Sequence, residues 1–371
     1  MYKKLIALFL FTIFTSVLTG CFDKKDDTIK IGFVAGLSGK YSALGTSIRD
    51  GFILAFDEID NKINGKEVVI IQKDDKQDEK EAKKIIEQFV KDDIKLIVGN
   101  ATSSMTAVSL PIINKQKGSL LISATASSNT FSGKDDNFLR VQVEQSIKRY
   151  KDFGNYIKKQ HFNNIFIIYD SKNYSYAKGY IDFILDLSKK NKNIKIVAKE
   201  DLNSEHDDII KKIKSSKTDL ILIVGNSVDT ANIIQHIRFN HIDTKIFASG
   251  WAKTMDFIKN GGKAVEGTLF YTGYNEQSKD ECYIEFVEKF KNKYHHLPSE
   301  PAAQGYELAK ILIQNLQVSS DISTLKKRIL KTKTYKGLQG RIIFDKYGDI
   351  SKQYFMMRIK DAKFIKIDTK R

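Results

Sequence analysis

The stretch IVGNATSSMTAV, which spans residues 97–108, contains four hydroxyl side chains within five consecutive positions. They are Thr102, Ser103, Ser104 and Thr106, and they follow an apolar run that ends in Gly-Asn. Hydroxyl groups at such a junction serve as nucleophiles, as helix caps or as donors to a ligand. Other features of the sequence distinguish among these three uses.

The sequence offers no context for a nucleophile. It contains no G-x-S-x-G elbow, no phosphate-binding G-x-x-x-x-G-K-[ST] and no dinucleotide-binding G-x-G-x-x-G. The six histidines are scattered, and the adjacent pair His295 and His296 would point about 100° apart on a helix. We therefore expect no catalysis, no cofactor and no metal site.

The elements that position the hydroxyls follow from the periodicity of apolar residues. Buried strands are predicted at 29–37, 67–75, 95–100 and 119–125, and again at 164–170, 194–200, 219–226 and 245–250. Amphipathic helices are predicted between them, including 42–60, 78–92, a helix ending at 115, 145–159, 176–190 and 229–239. Two long helices at 280–294 and 301–317 and C-terminal β-hairpins complete the chain. This alternation predicts an α/β fold with two similar units built on parallel sheets.

Small hydroxyl and aromatic residues follow several of these strands. In open α/β sheets ligands bind beyond the carboxyl ends of the strands, where helix N-termini favour negative charge. Each loop taken alone is explained by helix capping. Capping does not predict that the loops GLSGKYSALG, GNATSSMT, SATASSNT and YDSKNYSYAKG converge on one side. We therefore interpret them as donors to a carboxylate-bearing ligand.

Charge and the N-terminus indicate where the protein works. The 371-residue chain has 61 Lys and Arg against 45 Asp and Glu, a net charge of +16, but acids are interspersed with the lysines, so no nucleic-acid partner is expected.

Residues 1–20 combine Lys3 and Lys4 with a short apolar stretch, which is typical of a signal peptide. Leu18-Thr19-Gly20-Cys21 resembles a bacterial lipobox, which predicts a lipid on Cys21 and a tether over 21–27. An ordinary signal peptide with an incidental cysteine is the alternative. Either way the expected location is extracytoplasmic, with the lipid-anchored form at the cell membrane or in the periplasm.

The chain resembles the type I periplasmic binding proteins of the Leu/Ile/Val-binding class, solute receptors of ABC importers. The segments IKIGFVAGLSGKYSALGTSIRDGFILAFDEID, IKLIVGNATSSMTAVSLPII, SLLISATASS and GLQGRIIFDKYGDI carry this resemblance. It implies two Rossmann-like lobes with parallel central sheets, joined by three hinge crossovers. The first lobe would span 28–144 and 275–340, and the second 145–274 and 341–371.

The resemblance also implies a set of ligand-binding residues in the cleft between the lobes. Ser103, with Ser104 next to it, matches the serine that holds the ligand carboxylate. Thr125 and Ser127, around Ala126, match the next loop, and Tyr174 matches a tyrosine that closes over the ligand. Leu44 matches a pocket position, with Tyr41 nearby, and Asn226 stands at the position of a second tyrosine.

One departure from the family concerns the ligand's ammonium group. Leucine binders of the family place a glutamate where this sequence has Gly250-Trp251. Because a buried ammonium needs an anion, either Asp229 substitutes or the ligand is not a standard α-amino acid. Trp251 is interpreted as an aromatic wall of the cleft, with core packing as the alternative.

These observations predict a monomeric, lipid-anchored receptor that delivers a small amino acid-like, carboxylate or amide solute to an ABC permease. A regulatory or sensory lipoprotein on the same fold, such as a cell-wall-synthase activator, is the alternative. Bulky side chains blocking the cleft would favour that alternative.

Overall fold

A six-stranded sheet forms the centre of the first lobe. The computed structural model describes residues 28–146 and 148–368, so the predicted signal peptide, Cys21 and the tether lie outside the described residues. The strands of this sheet are β1 (Ile29–Ala35), β2 (Lys62–Ile63), β3 (Lys66–Asp74), β4 (Leu96–Gly99), β5 (Leu120–Ser123) and β6 (Phe138–Arg140). Their order is β2-β3-β1-β4-β5-β6, and all pairs are parallel except the β2–β3 hairpin.

Helices cover both faces of this sheet, so the apolar side chains of β1, β4 and β5 are buried on both sides. These helices are α1 (Ser42–Asp57), α2 (Glu79–Lys91), α3 (Ser103–Ile113), α9 (Glu281–Tyr294), α10 (Glu300–Val318) and α11 (Leu325–Thr332). Asp78 caps α2 by accepting hydrogen bonds from the backbone N–H groups of Lys80 and Glu81. Helices α1 and α10 pack so closely that a Cβ at Gly51 would lie 1.8 Å from the Ala302 carbonyl oxygen.

A seven-stranded sheet forms the second lobe. Its strands are β7 (Asn164–Tyr169), β8 (Lys195–Asp201), β9 (Leu220–Val224), β10 (Lys245–Ala248), β11 (Leu269–Thr272), β15 (Phe355–Lys360) and β16 (Lys363–Lys366). The order is β16-β15-β11-β10-β9-β7-β8, with antiparallel pairing only from β11 through β16. Its helices are α4 (Lys151–Lys159), α5 (Tyr174–Lys190), α6 (His206–Ser215), α7 (Ser227–Phe239) and α8 (Met255–Gly261).

A small antiparallel sheet lies between the last helix and β15. It consists of β12 (Thr334–Gly337), β13 (Gly340–Phe344) and β14 (Ile350–Ser351). The Arg140 N–H donates to the Gly348 carbonyl, and the Arg140 guanidinium pairs with Asp349, so this sheet is fastened to the first lobe. The predicted lobe boundary at residue 341 therefore falls inside this sheet, and the chain enters the second sheet only at β15.

The described chain passes between the two large sheets three times, after β6, after β11 and before β15. The predicted two-lobed α/β fold with three crossovers is thereby confirmed. Most predicted strands and helices lie within a few residues of the observed ones. The helix predicted over 145–159 begins at Lys151 instead, and Pro111 lies inside α3 near its C-terminal end. Across the part of the chain that the structure describes, we find no helix with the length and apolar character needed to cross a membrane.

Candidate ligand-binding cavity between the lobes

A cavity lies where the carboxyl ends of the two parallel sheets face each other. Its first-lobe wall contains Leu44, Ser103 and Thr125, and its second-lobe wall contains Tyr176 and Trp251. The residues on both walls follow the ends of strands or begin helices. This is the position at which open α/β sheets place their ligands.

Ser103 joins the two hydroxyl-rich loops of the first lobe. It begins α3, and its Oγ accepts hydrogen bonds from the backbone N–H groups of Ser127 at 3.2 Å and Ser128 at 3.1 Å. Because both lone pairs of Oγ are used, the O–H proton remains to be donated. Thr125 lines the cavity beside it and donates its hydroxyl to the Ala101 carbonyl.

The neighbours of Ser103 and Thr125 have different surroundings. Ala126 is buried in the core under the sheet and does not line the cavity. Ser127 is fully buried, and its Oγ has no hydrogen-bond partner among the described residues. The Ser104 N–H donates to Asn173 Oδ1 at 3.1 Å, and Ser104 Oγ accepts from the Ser175 N–H at 3.3 Å. Ser104 therefore fastens one lobe to the other.

Trp251 forms an aromatic wall across the junction of the lobes. Its ring stacks on Tyr41 of the first lobe with centroids 6.0 Å apart, and it meets Tyr176 edge-on at 6.1 Å. Burial raises the pKa of the Tyr41 hydroxyl, and the nearby carboxylate of Asp170 raises it further. Tyr41 is not among the lining residues and supports Trp251 from behind.

The structure places Tyr174 outside the cavity. Its side chain is 48% exposed and packs against Tyr169 at 6.0 Å between ring centroids. Tyr176 lies two residues further along α5, about 200° around the helix, and it faces the cavity instead. Asn173, just before the helix, is also a lining residue. Spacing within the loop could not distinguish these three residues, because the start of α5 decides which side chain points inward.

Asn226 and Asp229 also lie outside the cavity. Asn226 caps α7 by accepting from the Asp229 N–H at 3.0 Å, and its amide donates to the Asp229 carboxylate at 2.8 Å. That carboxylate forms an ion pair with Lys40 of the first lobe at 2.7 Å. Asp229 is thus engaged in joining the lobes and does not supply the counter-charge within the cavity.

A different carboxylate, Glu300, lines the cavity. It begins α10, is 7% exposed, and accepts a hydrogen bond from the Thr272 hydroxyl. The ammonium of Lys253 lies 3.6 Å from Glu300 and also pairs with Glu276. Burial raises the pKa of Glu276, although the neighbouring Lys253 opposes that rise. In the sequence, Glu300 is indistinguishable from an ordinary acidic residue at a helix start.

A buried cation, Arg149, is the other charged lining residue that the sequence did not reveal. It is 7% exposed, and its Nη1 donates to the Val143 carbonyl at 2.7 Å. Its guanidinium lies 4.5 Å from the centroid of the Tyr354 ring and 5.3 Å from that of Tyr150. An arginine guanidinium keeps its charge in proteins even when it is buried, so Arg149 is a cation.

The described residues include no cluster of three or more His, Cys, Asp or Glu side chains that could hold a metal. The cavity instead presents several hydroxyl groups, one guanidinium, one carboxylate and an aromatic wall. This combination suits a small organic ion.

Comparison with known proteins agrees with this architecture. The family model described as periplasmic binding protein matches residues 28–363. The chain belongs to this family. The Leu/Ile/Val-binding protein homolog 3 of Brucella melitensis is 22% identical over 363 residues, covering 92% of this chain and 94% of the relative. The resemblance to the Leu/Ile/Val-binding class is thereby confirmed, and with it the expectation of a binding protein located outside the cytoplasm.

Solved structures of the family show the same fold. LivJ of Streptococcus pneumoniae, a branched-chain amino acid transporter substrate-binding protein in complex with isoleucine, is 25% identical with a TM-score of 0.82, covering 92% of this chain and 99% of that one. A solute-binding protein of an ABC transporter from R. palustris, in complex with benzoate, is 15% identical with the same TM-score, covering 92% and 95%. At the latter identity the likeness shows the fold alone.

Proposed function

We propose that this protein is the solute receptor of an ABC importer and binds a small amino acid-type carboxylate between its lobes. The observation that carries the proposal is the cavity, in which donors of the first lobe, a carboxylate and an aromatic wall face a common space. The relatives named above for Leu, Ile and Val, and the isoleucine complex of LivJ, support an amino acid as the class of solute.

The carboxylate of the solute would bind at the start of α3. Ser103 lines the cavity and has its O–H proton free to donate, whereas the buried hydroxyl of Ser127 is not among the lining residues. The dipole of this 11-residue helix also favours an anion at its N-terminus. Thr125 and Ser103 together give this end of the cavity its polarity.

The ammonium of the solute would face Glu300. No acidic residue directly follows β10, where Gly250 and Trp251 stand, and Asp229 lies outside the cavity, whereas Glu300 lines it with Lys253 3.6 Å away. Glu300 is buried at the cavity wall, and a buried carboxylate stabilises a cation more strongly than an exposed one does. Leu44, Tyr176 and Trp251 would surround the rest of the solute.

Closure of the lobes would report that the solute is bound. The lobes touch through the Ser104–Asn173 hydrogen bond, the Lys40–Asp229 ion pair and the stacked rings of Tyr41 and Trp251. A solute held by both walls favours the closed arrangement by its differential affinity. A permease that recognises the closed arrangement would then accept the loaded receptor.

Bulky side chains filling the cleft would favour the regulatory alternative. The hydroxyl end of the cavity is instead lined by the small side chains of Ser103 and Thr125. This observation favours a receptor that binds a solute.

The test is a thermal-denaturation screen of the full chain, produced with Cys21→Ser to prevent lipidation, against amino acids, amides and small carboxylates. A solute present at 100 times its dissociation constant should stabilise the protein by about 2.7 kcal/mol. Isothermal titration calorimetry should then give one site per chain. A screen in which no solute of these classes raises the melting temperature would contradict the proposal.

We also propose that Cys21 carries a lipid that anchors the receptor to the membrane surface, because the residues before it resemble a lipobox. Mass spectrometry of the wild-type chain should show an acylated N-terminal peptide beginning at Cys21. Cell fractionation should find wild type with membranes and the Cys21→Ser variant free of them. Equal membrane association of both forms would contradict the anchor.

A further inference from the structure

One corner of the cavity consists of hydrogen-bond donors. Arg149 contributes its guanidinium, and Gln142 lines the cavity beside it. Gln142 Oε1 accepts from the Val143 N–H at 3.0 Å and from the Tyr354 hydroxyl at 2.6 Å. Because a backbone N–H can only donate, this contact fixes the orientation of the Gln142 amide. The remaining polar group of Gln142 is its NH₂, which is also a donor.

The guanidinium of Arg149 has no carboxylate partner among the described residues. Its neighbours are the rings of Tyr150 and Tyr354 and the carbonyl of Val143. The other buried arginine of this region, Arg140, is paired with Asp349 and bonded to the Ser128 carbonyl. The contrast is informative because a buried charge without an opposite charge costs several kcal/mol.

A purely structural role leaves most of the Arg149 side chain unexplained. The Val143 carbonyl takes one of the five N–H donors of the guanidinium. The Nε–H of Arg149 is buried and has no hydrogen-bond partner within residues 28–146 and 148–368. An arginine that only supported the tyrosine rings would not need to line a cavity with its Nε–H unbonded among the described residues.

We propose that Arg149, with Gln142, is an anion subsite that selects a solute carrying a second acidic group. This rests on the proposed function, in which the Ser103 end holds the first carboxylate and Glu300 faces the ammonium. Arg149 follows the first crossover and Ser103 begins a helix of the first lobe, so the two donor groups belong to different walls. A solute with two carboxylates and one ammonium satisfies all three groups, which points to an acidic amino acid.

The wild-type protein provides the first measurement. Isothermal titration calorimetry of the Cys21→Ser chain would compare L-glutamate and L-aspartate with their neutral isosteres L-glutamine and L-asparagine, and with L-leucine. An acidic amino acid should bind at least about 100-fold more tightly than its amide, because the amide leaves the guanidinium without its counter-charge. Glutarate and succinate, which lack the ammonium, would show whether Glu300 contributes.

Two variants localise this preference. Arg149→Met should weaken binding of the acidic amino acid by about 100-fold and leave binding of the amide within a few-fold. Arg149→Lys should keep part of the preference, because the charge remains but the two-pronged geometry is lost. Arg238→Met is the matched control, since Arg238 also donates to backbone carbonyls in the second lobe but does not line the cavity. Circular dichroism would establish that all three variants fold.

The outcomes separate the inference from the proposed function. Tighter binding of L-leucine or of the amides than of the acids would overturn the anion subsite while supporting a solute receptor. An equal loss for acids and amides in Arg149→Met would also overturn it. If none of these solutes binds the wild-type chain, and none does in the wider screen, the proposed function fails and the inference fails with it.

Discussion

Ser103→Ala should weaken both the fold and the binding of solute, by amounts that the hydrogen bonds of Ser103 allow us to work out. Its Oγ is the acceptor for two backbone N–H groups, those of Ser127 and Ser128. Ser103, Ser127 and Ser128 are each at most 1% exposed, so water does not readily replace the lost acceptor. Leaving a buried donor unsatisfied costs about 1–3 kcal/mol.

Taking the lower half of that range for each of the two N–H groups, the variant should lose about 2–4 kcal/mol of unfolding free energy. For a chain of this length, that corresponds to a fall in melting temperature of about 3–5 °C. If the Ser103 hydroxyl also donates to the bound carboxylate, affinity should fall by a further ~1–3 kcal/mol, or about 5- to 150-fold. Thermal denaturation of the free protein and titration calorimetry of the same sample measure the two effects separately.

Ser109→Ala is the matched control for this experiment. Ser109 lies on the same helix and is fully buried, but its Oγ has no hydrogen-bond partner among the described residues. The substitution should change stability by less than about 0.5 kcal/mol and leave affinity unaltered. Equal melting temperatures for Ser103→Ala and wild type would refute the argument, as would an equally large loss in Ser109→Ala.

Three further predictions concern contacts away from the solute. Asp229→Asn removes the ion pair with Lys40. The affinity for solute should then fall by at most about fivefold at low salt and should not change in 1 M NaCl, where the ion pair is screened. A loss of affinity that does not depend on salt would contradict this. Burial raises the pKa of Glu58, but its hydrogen bonds and the nearby lysines outweigh burial, so the pKa is lowered in the folded protein. The ionised carboxylate should therefore stabilise the fold above pH 4.5, and this contribution should be lost as the pH falls through the lower folded-state pKa. Chemical denaturation of wild type and Glu58→Gln should therefore differ at pH 7 and converge in acid; a pH-independent difference would count against it. Gly51→Ala should cost about 2–3 kcal/mol because its Cβ would overlap a backbone carbonyl, whereas Gly36→Ala, with neighbours no nearer than 3.6 Å, should cost far less in the same melts.

The sequence was sufficient for the architecture where strands are apolar and of ordinary length. Strand β4 and helix α2 were predicted within one residue or two because buried parallel strands and amphipathic helices have strong periodicity. The three-residue β6 is too short to show a period. Residues 145–149 have a helix-like pattern, but the crossover uses them differently: the Gln145 N–H donates to the Ser127 carbonyl.

The polar wall of the cavity was predictable and the charged groups were not. Ser103, Thr125 and Leu44, which match family positions, line the cavity because loops after parallel strands meet at one edge. Trp251, interpreted from its residue type as a wall of the cleft, also lines it. Arg149 lies in the basic stretch KRYK, where nothing in the residue types distinguishes a buried guanidinium from exposed lysines. Its burial results from the crossover and from rings contributed by residues as distant as Tyr354, which are long-range contacts.

The stacking of Tyr41 on Trp251 has a practical consequence, because Trp251 is the only tryptophan in the chain. The protein carries a single indole fluorophore, and it stands at the contact between the lobes that our proposal requires to open and close. Opening would remove the Tyr41 ring from one face of the indole and admit water, so the emission should shift to longer wavelength and change in intensity. The native chain, without any label, would then report its own opening and closing rates in a stopped-flow instrument.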